Sequence, residues 1–347
     1  MPRMPPSVVT CAALVALASV LTVSAADGQR AVRTGLHPEA AVAAITRAFD
    51  AYPLVAIGEV HRNQQLHDLL VTVVRDARFL PNGGDIVVEF GNARYQDRID
   101  RYIGGETVDQ KSLAQVWREA VNILVWDAPV YERFFATVRD VNRTRPAERY
   151  LRVVLADPAF DWATVGDRAT WERIAARRDQ HAADVIQHEV LARGRRALLI
   201  FGSAHVEREQ AFERHDKPRR PRSSNLLELL DAEHPGGTLY VTADWGNGAT
   251  DALLARWRPP VLLRLKGTSL GAIHAGPSIQ GPRLDELADA YLYLGPTSSL
   301  TTSVPAPSTY ADPAYLRELL RRDAIQGGAN AAELRRLSAQ FLNGRTR

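Results

Sequence analysis

Residues 54–61 read LVAIGEVH, four apolar residues running without polar interruption into Gly58, Glu59, Val60 and His61. A strand that faced water on one side would alternate; an unbroken apolar run reads instead as a strand buried on both faces, which parallel sheets covered by helices contain. Five further runs repeat the pattern, at 85–89, 151–155, 197–201, 238–243 and 261–265. Longer segments with helical spacing separate them. In 64–79, Leu66, Leu69, Leu70, Val73 and Val74 fall at i, i+3, i+4, i+7 and i+8, an apolar stripe on one helix face. The segment 225–232 behaves in the same way, and a first helix is predicted over 38–52. The chain therefore reads as an α/β fold, a central mainly parallel β-sheet flanked by helices, with a C-terminal helical extension. The expected organisation is a leader at 1–25, one α/β domain at 26–310 and a helical tail at 311–347. Within the tail, 314–345 reads as two amphipathic helices broken at Gly327-Gly328, with packing as its default role. Segments 214–224 and 295–313 lack apolar periodicity and read as loops. The first carries five Arg or Lys residues among eleven, so it is either a solvated charge run or a basic lid over an anionic ligand.

Composition bounds the remaining possibilities. The chain has 347 residues, 46% hydrophobic and 24% charged, which suits a packed globular protein. Its 43 basic and 40 acidic side chains are interspersed, and a net charge of +3 gives no broad basic face for nucleic acid, so no nucleic-acid partner is expected. Arg3, the apolar run 8–21 and the small residues of Val23-Ser24-Ala25 read as a secretory signal cleaved after Ala25. Export to a periplasmic or extracellular location follows, without stable membrane insertion once the signal is removed. The single cysteine, Cys11, lies inside that leader. Disulfides, zinc thiolates and a cysteine nucleophile are thereby excluded from the mature chain.

In an open parallel sheet, ligands bind outside the carboxyl ends of the strands, so the polar residues that follow each apolar run are the candidates for chemistry. The run 54–57 ends in Gly58-Glu59-Val60-His61, and residues two apart point to one side. The next ends in Glu89-Phe90-Gly91-Asn92, the third in Ala156-Asp157, and the fourth in Gly202-Ser203-Ala204-His205. Glu59, His61, Glu89, Asp157 and His205 thus arrive at one edge. Clustered imidazoles and carboxylates serve either a histidine base polarised by carboxylates or a metal that activates water. Glu59, His61, Glu89 and His205 are the catalytic candidates, and the same four are the ligands if a divalent metal is required. Arg62, Arg94, Tyr95 and Asp157 are substrate-binding candidates, while His67 sits off the apolar stripe of its helix and faces either the packing or the mouth of the site. Ser203 lacks the second glycine of a nucleophile elbow. His181 and His188 read as a surface pair on one helix face.

The segments IGEVH at 57–61, VVEFGN at 87–92 and FGSAHV at 201–206 resemble the superfamily that joins erythromycin-esterase-like proteins, ChaN-like haem-binding lipoproteins and TraB/Tiki proteins. The resemblance spans about residues 51–206. It implies a largely parallel α/β sheet with a cleft built from the G-E-x-H and G-x-x-H segments. In the esterase-like branch it implies a histidine at His61 acting as base on water, with Glu59 and Glu89 around it. In the Tiki-like branch it implies a divalent-metal-dependent hydrolase or protease, and in the ChaN-like branch a haem-binding protein without catalysis. In the haem reading a histidine or Tyr95 is the axial ligand and the basic 214–224 segment meets the propionates. The chain departs from these branches in lacking a convincing lipobox and the transmembrane helices of many TraB-like proteins. The expectation is an exported hydrolase of ester or amide bonds in a small-molecule or peptide substrate, with haem binding as the alternative.

Overall fold

Every residue of the strands 54–59, 84–92 and 197–202 is buried, and a sheet can achieve this only if helices cover both of its faces. The computed structural model describes residues 35–208, 224–243, 248–275 and 282–344. Its strands are β1 (Glu39–Ala40), β2 (Leu54–Glu59), β3 (Gly84–Asn92), β4 (Leu151–Asp157), β5 (Ala197–Gly202), β6 (Thr238–Ala243), β7 (Val261–Arg264) and β8 (Ala290–Tyr293). They form one sheet in the order β1-β7-β8-β6-β2-β5-β3-β4. The six strands from β8 to β4 pair in parallel, while β7 joins β8, and β1 joins β7, antiparallel. The fold is thus the α/β class that the apolar runs imply, with an antiparallel rim at one edge.

Helices α1 (Ala41–Ala48), α2 (Gln64–Arg75), α3 (Gln96–Ile103), α4 (Gln110–Arg118) and α5 (Pro129–Asn142) come before β4. Helices α6 (Arg168–Ala175), α7 (Arg178–Glu189), α8 (Ser203–Val206), α9 (Leu226–Glu233), α10 (Gly248–Leu254), α11 (Leu284–Leu287), α12 (Pro313–Gln326) and α13 (Ala331–Gly344) complete the chain. Strand alternation divides the core. Val55, Ile57, Leu198 and Ile200 pack with Leu66, Leu70, Phe134 and Phe135 of α2 and α5 on one face. Leu54, Ala56, Leu199 and Phe201 pack with Ile186 of α7 and Leu226 of α9 on the other. The same parity carries Glu59 and the bare side of Gly202 to the α2 face, and Gly58 and Glu89 to the α7 face. The helix after β2 lies on one face and α9, after β5, on the other. The crevice between the carboxyl ends of β2 and β5 is therefore the switch point at which α/β sheets bind ligands.

The structure differs from the sequence expectation in several places. The helix predicted over 38–52 opens with the two-residue β1 and is helical only over Ala41–Ala48. The helix predicted over 64–79 ends at Arg75, where Asp76 turns extended and takes Arg78 in an ion pair. The strand predicted over 85–89 continues to Asn92 through a register shift between Val88 and Asn92. Strand β8 is not among the runs read from the sequence, since AYLY is only four residues long. Segment 295–313 is a loop carrying two 3-10 turns, at Thr297–Ser299 and Pro307–Tyr310, and it docks on the exit of β2. There Thr301 O accepts from Gln64 N at 2.9 Å, and Ser303 N donates to Arg62 O at 2.7 Å. The leader 1–25 and residues 214–223 of the basic segment lie outside the described residues. Among the described residues no helix is long and apolar enough to cross a membrane.

Candidate functional site

Glu59 ends β2 fully covered, and its Oε1 is a hub. It accepts from the Tyr131 hydroxyl at 2.6 Å and faces His67 Nε2 at 2.8 Å. A carboxylate can only accept, so His67 carries its proton on Nε2. His67 belongs to α2, whose start is fixed by the Asn63 side chain accepting from Leu66 N. His67 is wholly buried, with its ring edge-on to Tyr131 at 4.8 Å. It thus braces Glu59 from below and does not face an open mouth. Burial opposes the charge on Glu59, but His67 and His61 outweigh it and hold the carboxyl down from 4.5 to about 2. The Tyr131 oxygen also accepts from Arg62 N at 3.0 Å. Arg62 has φ +66°, a left-handed conformation costing on the order of 1–3 kcal/mol in a residue with a side chain. The bonds to Tyr131 and Ser303 hold that turn, and the turn places His61 over the sheet edge.

Glu89 arrives from the opposite face and is held by cations. Its Oε1 pairs with Arg178 Nη2 at 2.6 Å and lies 3.4 Å from His205 Nε2, while Oε2 accepts from Gly202 N at 2.6 Å. Burial works against its charge, yet His205 and Arg178 keep the carboxyl well below the ordinary range. His205 Nδ1 meets Asp179 Oδ1 at 2.5 Å. Although burial disfavours its charge, Glu89 and Asp179 push the imidazole up from 6.5 to about 10, so it is a doubly protonated cation at neutral pH.

His61 lies between these two assemblies. Its Nδ1 is 3.5 Å from Glu59 Oε2, and its ring stands edge-on to Trp126 with centroids 4.7 Å apart. Burial lowers its pKa, but the carboxylates of Glu59 and then Glu89 more than offset that, and the net shift is upward from 6.5. The ring is 32% exposed. Gly202 makes this possible: a Cβ there would lie 2.8 Å from His61 Cε1, 3.0 Å from His61 Nε2 and 3.2 Å from Glu89 Oε2. Trp126 is fixed through its neighbour Asp127, which accepts from Tyr315 of α12 at 2.9 Å and pairs with Arg118 at 3.1 Å. The C-terminal extension is thereby tied to a wall of the site.

The four-residue metal set does not fit a metal ion. Glu89 is neutralised by Arg178 and His205, His205 presents N–H groups to two carboxylates and so has no lone pair to give, and only Glu59 Oε2 and the His61 ring are left without hydrogen-bond partners, too few for a closed coordination set. Among the described residues no group of three His, Cys, Asp or Glu side chains is arranged to hold a metal. The substrate-binding candidates also have other engagements. Asp157 is buried, accepting from Val121 N at 2.5 Å and from Arg178 Nε at 2.7 Å. Its carboxyl is raised by burial, with Arg178 opposing. Arg94 makes a surface pair with Asp161. The Tyr95 hydroxyl is bound to Glu119, and burial together with that carboxylate raises its pKa, so it does not offer a phenolate to haem. Only Arg62 sits beside His61, with a buried Nε that has no hydrogen-bond partner. His181 Nε2 is buried and His188 Nδ1 bonds Asp184 O. Sequence reasoning passed over Arg178, Asp179, Tyr131 and Trp126, which lie outside any motif. His67 alone carried a signal, as a polar residue off its apolar stripe.

No family profile matches the chain, and no curated protein matches it. Solved structures do. A succinoglycan biosynthesis protein aligns with TM-score 0.56 at 8% identity, covering 75% of this chain and 94% of that one. An erythromycin esterase mutant in its open conformation aligns with TM-score 0.49 at 10% identity, over 72% and 92%. ChaN of Campylobacter jejuni, with heme bound cofacially, aligns with TM-score 0.39 at 12% identity, over 59% and 86%. The likeness to the first is one of fold, shared over nearly the whole of that chain. The neighbours include both a hydrolase and a haem-binding protein.

Proposed function

We propose that this chain is a hydrolase of ester or amide bonds in a small-molecule or peptide substrate, with His61 as the base that activates water. The observation that carries the reading is the contrast within the cluster. Glu89, His205 and Glu59 Oε1 are held by partners, whereas the partly exposed His61 has an Nδ1 without a hydrogen-bond partner, 3.5 Å from Glu59 Oε2, which is likewise unpartnered, at the switch-point crevice. Glu59, on the Nδ1 side, orients the ring and stabilises the imidazolium that forms when Nε2 takes a proton from water. The Arg178–Glu89–His205 assembly keeps a fixed charge pattern beside it. Glu89 is already neutralised by Arg178 and His205, so the step is written with the imidazole of His61 as the sole base.

The test is turnover of a panel of p-nitrophenyl esters and short peptides by the full chain and by His61→Ala. We expect a loss of 10²- to 10⁴-fold, the usual worth of general base catalysis, and unchanged hydrolysis in the variant would sink the assignment. Because the imidazole must be neutral to act, kcat/KM should rise with pH through a midpoint above 6.5. The partly exposed His61 ring also suits an axial haem ligand. A haemin titration giving a Soret shift that His61→Ala abolishes, together with no turnover, would favour that second reading. We further propose that the protein is exported after removal of residues 1–25, which N-terminal sequencing of the secreted chain tests.

A further inference from the structure

The connection between α4 and α5, residues 119–128, has no helix or strand of its own and carries Trp126, the wall against His61. Its shape is set from outside. Asn92 Nδ2 donates to Glu119 O at 2.8 Å, Trp162 Nε1 to Ala120 O at 3.2 Å, and Val121 N to Asp157 Oδ2 at 2.5 Å. Helix α12 adds two bonds of 2.9 Å, from Arg322 Nη1 to Arg118 O and from Gln326 Nε2 to Val121 O. Within this connection Leu124 stands at φ +67°, a left-handed conformation that persists in a residue with a side chain only where the surroundings over-determine it.

Trp126 is buried, and its indole Nε1 has no hydrogen-bond partner. Packing and chain neighbours therefore fix its position. Its ring stands edge-on to Tyr131 at 5.0 Å and to His61 at 4.7 Å between centroids. The anchor is Asp127, next in the chain. The Tyr315 hydroxyl donates to Asp127 Oδ1 at 2.9 Å and lies 3.0 Å from Oδ2, while Arg118 Nε pairs with Oδ1 at 3.1 Å. The Arg118 guanidinium in turn covers the Tyr315 ring, 4.7 Å from its centroid. His61 depends on this wall. Its Nδ1 is 3.5 Å from Glu59 Oε2, longer than the roughly 2.7–2.9 Å of a charge-assisted hydrogen bond, so the carboxylate attracts the ring and leaves its tilt to packing.

We propose that Tyr315, acting through Asp127 and Trp126, is a positioning residue for His61, which makes the C-terminal helix α12 part of the site. The proposal rests on the reading of His61 as the base. A base must hold its acceptor nitrogen within hydrogen-bond reach of the water it activates, and a misplacement on the order of 1 Å caused far from the chemistry can cost about 10²-fold in rate. Without the Tyr315 hydroxyl, Asp127 keeps Arg118 but loses its bond to α12. A buried carboxylate stripped of a donor is costly, so the turn that carries it shifts to recover one, and Trp126 moves with it.

The test reads His61 both with and without turnover, in the full chain. Tyr315→Phe removes one oxygen and keeps the ring under Arg118, so it should fold, and Trp126→Phe alters the wall directly. On a p-nitrophenyl ester, Tyr315→Phe should lower kcat about ten-fold or more with KM little changed. Trp126→Phe should cost at least as much, and adding Tyr315→Phe to it should cost nothing further, because residues that act in series are not additive. Independently of turnover, diethyl pyrocarbonate labelling mapped by peptide mass spectrometry should modify His61 several-fold faster in Tyr315→Phe than in wild type. The exposed His188 is the reactivity standard, and the wholly buried His67 should stay protected. Unchanged kcat and unchanged His61 labelling in Tyr315→Phe overturn the proposal. So do additive effects of the two substitutions, or labelling of His67 in step with His61, which would mark general loosening. Faster His61 labelling in a chain that hydrolyses nothing would support the positioning role and remove the hydrolase reading.

Discussion

The two carboxylates of the crevice are kept ionised by opposite means. Glu59 sits among aromatic rings and is served by single N–H and O–H donors, those of His67 and Tyr131. Glu89 sits among charges, with Arg178 and the imidazolium of His205 against it. The first arrangement uses hydrogen bonds to fix an orientation, as a group that steers His61 requires. The second gathers a network of buried ions in which each member depends on the others, and such networks fail badly when one member is lost.

Removing Arg178 should break the comparison most severely. Arg178→Met leaves Glu89 and Asp157 without their shared cation, and we expect a loss of about 3–5 kcal/mol in denaturant unfolding; a loss near zero would mean that the two carboxyls simply take up protons.

The pH dependence of stability then separates the halves. His205 has a folded pKa raised from 6.5 to about 10, so its contribution is complete below 6.5 and disappears as pH climbs toward 10. Glu59 has a folded pKa lowered from 4.5 to about 2, so its contribution is present above 4.5 and is lost as pH falls through that window. Thermal melts across pH should therefore show an alkaline decline that His205→Gln flattens and an acid decline that Glu59→Gln reduces.

A smaller effect is expected from Tyr131→Phe, which removes one donor to an ionised carboxylate and one acceptor for Arg62 N. About 1.5–3 kcal/mol should be lost, together with the acid limb of the activity profile moving, because His61 is no longer held by the same turn. An unchanged profile would show that Glu59 orients His61 without help. Gly202→Ala is the mildest in stability, on the order of 1 kcal/mol, but its methyl would lie 2.8 Å from His61 Cε1 and must push the ring aside. Turnover should fall well beyond what that stability change accounts for, and full activity would place the working group elsewhere.

Much of the framework was legible because its signals are local. An apolar run such as LVAI followed by Gly-Glu-Val-His has few ways to fold, and four such runs bring their polar ends to one edge of a parallel sheet. What escaped was whatever depends on residues distant in the chain. Asp157 reads like a site residue since it ends a strand, yet it is occupied by Arg178, twenty-one positions later. His205 reads like a metal ligand, yet Glu89 and Asp179 together hold it as a cation. Neither Arg178 nor Asp179 belongs to a motif, and a helix rich in Arg and Glu gives no hint of which charges turn inward.

By itself the sequence determined the α/β class, the strands that carry chemistry and the pairing of Glu59 with His61, because strand period and apolar continuity act between neighbours. Tertiary structure alone decided that Glu59 and Glu89 approach from opposite faces and that His205 is charged. Charge state and accessibility are set by what surrounds a group in three dimensions, and the surroundings of each of these residues come from elements far along the chain.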